Sequence, residues 1–255
     1  MLQMKQVSKV YEGKVPVRAL SDINLEVERG DFVSIMGPSG SGKTTLLNTI
    51  STIDEPTTGE VLIDGNNPHQ LNQNELAKFR RRQLGFVFQD FNLLHTLTVE
   101  ENIVLPLTLD NKPVKEMKEK AKKLAETLGI QEILPKRIYE ISGGQTQRAA
   151  VARAMIHEPK LVLADEPTGN LDSKASKDVM EMLTLMNEQQ NTTLLLVTHE
   201  PQAAMYSDRV IFIRDGKLYS EIHRGDNQKV YFQKIIDTLA LMGGDDYDIQ
   251  TIRPQ

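Results

Sequence analysis

The chain contains no cysteine. Disulfides and thiolate metal sites are therefore excluded, and a reducing compartment fits. No run of about 18 apolar residues occurs, so no stretch is long enough to cross a bilayer as a helix. The opening residues, Met1-Leu2-Gln3-Met4-Lys5, lack the architecture of a secretory signal, and the chain is expected to stay where it is made. Basic charge is not in excess. The 30 Lys and Arg against 35 Asp and Glu leave a net charge of −5, which argues against a dedicated nucleic-acid binder. There is no internal repeat and no low-complexity segment. What is present is an ordinary globular composition, 39% hydrophobic and 25% charged. Its 255 residues suit one large domain, or a domain with a subdomain.

One stretch organises the rest. Phe32, Val33, Ile35 and Met36 form an apolar run. Gly37-Pro38-Ser39-Gly40-Ser41-Gly42-Lys43-Thr44 then reads G-x-x-x-x-G-K-T, and Thr45 to Ile50 continue as a helix. Strand, glycine turn and helix start come in the order that a phosphate cradle requires. Glycines let successive N–H groups point inward, and the helix N-terminus adds its positive end. Lys43 supplies a mobile charge for the outer phosphates, and the Thr44 hydroxyl suits magnesium. The dinucleotide pattern G-x-G-x-x-G fails, because Thr45 stands where its third glycine belongs. The expectation is a nucleoside triphosphate site.

Along the chain, Leu2, Met4 and Val7, and then Ile23, Leu25 and Val27, alternate as paired strands. Tyr11 lies between them, either to stack on a base or to fill a half-buried strand position. Gly59 to Gly65 reads as a strand ending in an Asp-Gly turn. Asn72 to Arg82 reads as a helix whose Arg80, Arg81 and Arg82 form a solvated face. Leu84 to Phe88 is a buried strand with Gln89 at its carboxyl end, where open parallel sheets collect ligands. Lys115 to Leu128 places Met117, Ala121, Leu124 and Leu128 on one helix face, closed by Gly129. Another helix runs from Gln145 to His157. Two further buried strands follow, Leu161 to Glu166 and Leu194 to His199, and then a hairpin around Asp215-Gly216. The fold class is α/β, a mostly parallel core sheet with an antiparallel β subdomain and a helical insertion over about residues 90–158.

Asp165 and Glu166 end a buried strand, so one carboxylate can enter a magnesium shell and the other can polarise water. His199, also at a strand end, is placed to reach the γ-phosphate. Ile141-Ser142-Gly143-Gly144-Gln145 is a second glycine-bearing helix N-terminus, hence a second anion site with a hydroxyl. One nucleotide does not need two cradles from one chain. The second is expected to serve a neighbouring copy, in a head-to-tail dimer with ATP at the seam.

In order, Gly37 to Thr44, Gln89, Ser142 to Gln145, Asp165-Glu166, Leu171-Asp172 and His199 resemble the motifs of an ABC-transporter ATPase subunit. They correspond to its Walker A, Q-loop, signature, Walker B, D-loop and H-loop. Ile141 stands where that family usually has leucine. The resemblance implies the P-loop ABC ATPase fold over residues 1–222 and an added helical tail over 223–255. It implies ATP as substrate and Mg2+ held by Thr44, Gln89 and Asp165. It implies Glu166 as base, with Lys43, Gln89 and His199 in the chemistry, and Tyr11 stacked on adenine. Ser142, Gly143, Gly144 and Gln145 would reach across the dimer, and Asp172 would link the two sites.

Phe88 to Leu94, Leu97 to Asn102 and Ala164 to Asp172 resemble the group paired with FtsX-like permeases, whose members handle macrolides, lipoproteins and antimicrobial peptides. Thr198-His199-Glu200-Pro201, Ala203-Ala204 and Tyr231-Phe232 resemble its bacitracin-resistance branch. The implied partners are an integral-membrane FtsX-like permease and a second copy of the chain, with no nucleic acid. The implied place is the cytoplasmic face of the bacterial plasma membrane, held there through the permease. A lipoprotein- or macrolide-type ATPase is the alternative. A soluble DNA-repair or chromosome ATPase is disfavoured, because no long coiled coil separates Thr44 from Ser142. In the tail, Asp226 or Asn227 is expected to cap a helix. Val230-Tyr231-Phe232, Ile235-Ile236, Leu239 and Met242 would form its apolar stripe, packed on the chain's own core or on a partner. Gly243-Gly244 would end it, with Asp245, Asp246 and Asp248 beyond.

Overall fold

The computed structural model describes residues 1–243. Strands β1 (Leu2–Tyr11) and β2 (Val17–Val27) pair antiparallel, with Leu2 opposite Val27 and Met4 opposite Leu25. Strand β3 (Phe32–Met36) is buried at every residue and feeds the glycine loop and helix α1 (Lys43–Ile50). Strand β4 (Thr58–Ile63) returns to β1 and completes a three-stranded antiparallel sheet. Left-handed Asp64 and Gly65 turn the chain after it. Helix α2 (Gln73–Gln83) starts in a reciprocal cap between Asn72 and Glu75 and leads into β5 (Leu84–Phe88).

Three helices follow: α3 (Val99–Leu109), α4 (Val114–Thr127) and α5 (Gly143–Met155). The alternation then resumes with β6 (Leu161–Asp165), α6 (Ser173–Gln190), β7 (Thr193–Val197) and α7 (Pro201–Ala204). The hairpin β8 (Arg209–Arg214) and β9 (Lys217–His223) precedes α8 (Gln228–Met242).

The second sheet has the order β5-β6-β7-β3-β8-β9. All its strands run parallel except β9, which pairs antiparallel at the edge. Parallel strands covered on both faces are largely apolar, which is why β3, β6 and β7 read as near-continuous hydrophobic runs, with Ser34 and Thr193 as buried polar residues. Period-two alternation divides them between two cores. Phe32, Val162, Ala164, Leu194 and Leu196 pack with α3, α4, α5 and α6. Val33, Ile35, Leu161, Leu163, Leu195 and Val197 pack with α1 and the antiparallel sheet. The carboxyl ends of β3, β5, β6 and β7 therefore open on one edge, carrying Gly37, Gln89, Asp165 and His199.

Several expectations need correction. Helix α5 begins at Gly143 rather than Gln145, because Ser142 caps it. The arginine run is only partly a solvated face: Arg82 is exposed, whereas Arg80 and Arg81 are half-buried. Arg81 and Arg82 both pair with Asp110 at the end of α3, at 2.9 and 3.0 Å, and Arg80 donates to the Thr52 carbonyl at 3.1 Å. Arg82, then Arg81, holds the Asp110 carboxyl below its ordinary range through hydrogen bonds. Asn227, not Asp226, caps α8. Its buried stripe is Tyr231, Ile235, Leu239 and Met242, packed on Met36, Ala204, Val210 and Phe212 of the chain's own core. Val230 lies about 100° around the helix from Tyr231 and is exposed. Gly244, Asp245, Asp246 and Asp248 lie outside the described residues.

Candidate nucleotide site

The loop after β3 is shaped by close approaches. A Cβ on Gly37 would stand 2.1 Å from the Ile213 carbonyl oxygen, and one on Gly42, at φ +104°, would stand 2.5 Å from that of Ala19. Only glycine lets this loop lie against β8 and β2. Helices α2, α3, α5, α6 and α8 each have an N-cap side chain accepting from the first turn, whereas Gly42 at the head of α1 offers none. The first amides of α1 are thus free for an anion, which is what a phosphate cradle needs. The Ser41 hydroxyl is buried in the same loop without a hydrogen-bond partner. Lys43 Nζ donates to the carbonyls of Gly37 and Pro38 at 2.8 and 2.9 Å, so the ammonium lies across the mouth of the loop. Burial lowers its pKa, against the opposing pull of Glu166 and Asp165.

Both carboxylates lie close enough to Lys43 to be felt by it. Burial, then the charge of Glu166, raises the pKa of Asp165, while Lys43 opposes both. Glu166 adopts φ +46°, a left-handed conformation that turns its side chain off the line of β6. Its amide donates to Val197 at 2.9 Å, which ties this turn to the end of β7. There His199 Nδ1 meets Glu166 Oε1 at 2.8 Å, and that hydrogen bond is the first cause of a raised His199 pKa. Sequence reading assigned His199 to the γ-phosphate and missed its pairing with Glu166. It also missed Glu200, whose carboxylate accepts from Thr168 at 2.7 Å and braces the turn behind Glu166.

Gln89 follows β5, and its Nε2 approaches Asn170 Oδ1 at 3.4 Å. Tyr11 donates its hydroxyl to Asp54 at 2.6 Å, and the same oxygen lies 3.5 Å from Thr45 Oγ1. The ring is exposed beside the first turn of α1. Lys43, Asp165, Glu166 and His199 thus share one site, with Gln89 and Tyr11 at its margins. Ser142 to Gln145 lie elsewhere. Ser142 accepts from the Gln145 amide at 3.3 Å, and a Cβ on Gly144 would meet Ala175 at 3.2 Å. Asp172 accepts from Lys174 and Ala175 as the cap of α6. No hydrogen bond among the described residues joins this second group to the Lys43 site.

Among the described residues no cluster of three or more His, Cys, Asp or Glu could hold a metal by itself. Thr44, Asp165 and Gln89 offer a few hard oxygen donors, a set that suits Mg2+ when phosphate oxygens and water complete the shell. A cavity of about 340 Å3 lies away from this site, lined by Arg81, Arg82, Asp110, Lys120 and His157.

Comparison with known proteins places this geometry. Residues 20–169 match the family described as ABC transporter. The ABC transporter ATP-binding protein YxdL of Bacillus subtilis (strain 168) is 56% identical over 253 residues, covering 99% of this chain and 98% of that protein. The bacitracin export ATP-binding protein BceA of Halalkalibacterium halodurans is 49% identical, covering 95% and 97%. The dimeric structure of a post-hydrolysis state of the ATP-binding cassette MJ0796 bound to ADP and Pi superposes with a TM-score of 0.81. It is 41% identical and covers 88% of this chain and 100% of its own. The chain belongs to the ABC transporter family, as an ATP-binding subunit that hydrolyses ATP.

Proposed function

We propose that this subunit drives a separate FtsX-like permease from the cytoplasmic face of the bacterial plasma membrane, in bacitracin-like peptide resistance or export. The observation that carries the mechanism is the meeting of Lys43, Asp165, Glu166 and His199 at adjoining strand ends. Lys43 leaves the loop carbonyls for the outer phosphates, and the free amides of α1 hold the rest. Thr44, Asp165 and Gln89 would hold Mg2+, which neutralises phosphate charge when bound. Glu166 takes the proton of the attacking water, and His199 holds Glu166 in place and meets the γ-phosphate. Tyr11 lies where a base can stack. Ser142 to Gln145, with Ser142 and Gly143 exposed and no hydrogen bond among the described residues to the Lys43 site, fit the nucleotide of a second copy, and Asp172 lies beside them at that seam. Residues 1–222 form the ATPase unit, with a helical subdomain over about 90–158, and 223–255 form an appended tail.

The bacitracin assignment rests on near full-length likeness to a bacitracin export ATP-binding protein. The test is co-expression with a candidate FtsX-like permease from the same genome, followed by purification in detergent and a bacitracin susceptibility assay. A permease that co-purifies, together with resistance lost in Lys43→Ala, supports the assignment. Normal resistance without a functional Lys43 refutes it.

A further inference from the structure

The segment just past β5 is held in an unusual backbone shape. Phe91 at φ +60° and Asn92 at φ +50° are consecutive left-handed residues, and neither is glycine. Such conformations persist only where their surroundings over-determine them. Arg153, near the end of α5, provides one restraint. Its guanidinium donates to the Phe91 carbonyl at 3.0 Å and also to the carbonyl of Asn92. Among the described residues no carboxylate pairs with Arg153, and burial lowers its pKa. A half-buried cation is thus used entirely on two main-chain oxygens.

Asn170 restrains the other side. Its Nδ2 donates to the Gln89 carbonyl at 3.1 Å and to Asp90 Oδ1 at 3.0 Å. Gly169 is tight against Gln89, since a Cβ there would lie 2.9 Å from Gln89 Nε2. Residues 89–92 are therefore clamped between α5 and the turn that follows Asp165-Glu166. The head of α5 is the Ser142 to Gln145 group, and Arg153 is on the same rigid helix.

We infer that Arg153 is a positioning residue that transmits the placement of α5 to the Gln89 segment. Engagement of Ser142 to Gln145 with nucleotide moves α5, and the two carbonyl contacts carry that movement to residues 91–92. The bidentate planar fork matters, because a lysine serves one carbonyl at a time. This inference rests on the proposed reading of Gln89 as a nucleotide-responsive residue and of Ser142 to Gln145 as a dimer contact.

The chain has no cysteine, so Leu94→Cys gives a unique labelling site. Leu94 is 47% exposed and lies just beyond the clamp. A maleimide fluorophore on this cysteine, in a Glu166→Gln background that slows turnover, reports the segment when Mg–ATP is added. Nucleotide occupancy is measured separately with a fluorescent ATP analogue. With Arg153 present, ATP should change the emission. In Arg153→Met the analogue should bind with unchanged affinity, while the emission change at saturating ATP shrinks about fivefold or more. A full emission change in Arg153→Met overturns the inference, as does a lower Tm with an undiminished response from the folded protein. If Arg153→Met does not fold, Arg153→Lys decides. A response cut by about half or more supports the transmission, and an undiminished one overturns it. If ATP binds but the reporter stays silent with Arg153 intact, the reading of this segment as nucleotide-responsive fails, and the inference falls with it.

Discussion

Glu166→Gln changes charge while keeping shape. In the native chain His199 Nδ1 lies 2.8 Å from Glu166 Oε1, and the glutamine amide still presents an oxygen to that ring. What disappears is the anionic acceptor for the proton of water. Loss of a general base costs about 10²–10⁴ in rate, or roughly 3–5 kcal/mol on the barrier. ATP binding should change little, because Lys43 and the amides of α1 remain. Phosphate release at saturating Mg–ATP gives the first number and equilibrium nucleotide binding the second. His199 provides a third. Its pKa is raised first by the hydrogen bond with Glu166, so in the variant it should fall, as followed by NMR. The sign follows from linkage. A histidine raised in the folded state contributes stability that is full below its unfolded pKa and is lost as pH rises through the folded value. The variant should lose that alkaline decline, a small effect because the imidazole is 60% exposed. Turnover within about tenfold of native, well short of the general-base range, would refute the role of Glu166. An unchanged His199 titration would refute the pairing.

Other perturbations separate the remaining contributions. Gly37→Ala should abolish ATP binding or soluble expression, because its Cβ meets the Ile213 carbonyl at 2.1 Å. Gly40→Ala, with open space but φ +75°, should cost only about 1 kcal/mol and keep binding, as calorimetry can measure. Ser142→Arg removes a helix cap worth about 1 kcal/mol, so the single chain should still bind ATP while turnover is lost. Loss of ATP binding in the isolated chain would count against a contact made across two copies. Ile235→Ala on the buried face of α8 should destabilise by about 2–5 kcal/mol in thermal melts without altering nucleotide affinity. A melt unchanged by that substitution would mean that the tail does not pack as described.

Local patterns alone determined much of this protein. The apolar runs of β3, β6 and β7 announce strands buried on both faces, because a parallel sheet covered by helices leaves no polar face to alternate with. The glycines of the loop announce their conformations, and the residues at the strand ends announce where ligands collect. The ordered motifs carried the family, which the match over residues 20–169 then established. Contacts between segments far apart in the chain were decided only by tertiary structure. No periodicity relates Arg153 to the carbonyls of residues 91–92, Arg81 and Arg82 to Asp110, or Tyr11 to Asp54. The stripe of α8 was legible as apolar, but which four residues would turn inward depended on the surface it met. The pairing of His199 with Glu166 belongs to the same class. Each residue stood visibly at a strand end, but only the adjacency of β6 and β7, with a left-handed turn at Glu166, brought their side chains to 2.8 Å. Side-chain type and spacing encode what a segment can do. Strand order and packing decide which of those segments meet, because that choice is made by long-range burial rather than by local propensity.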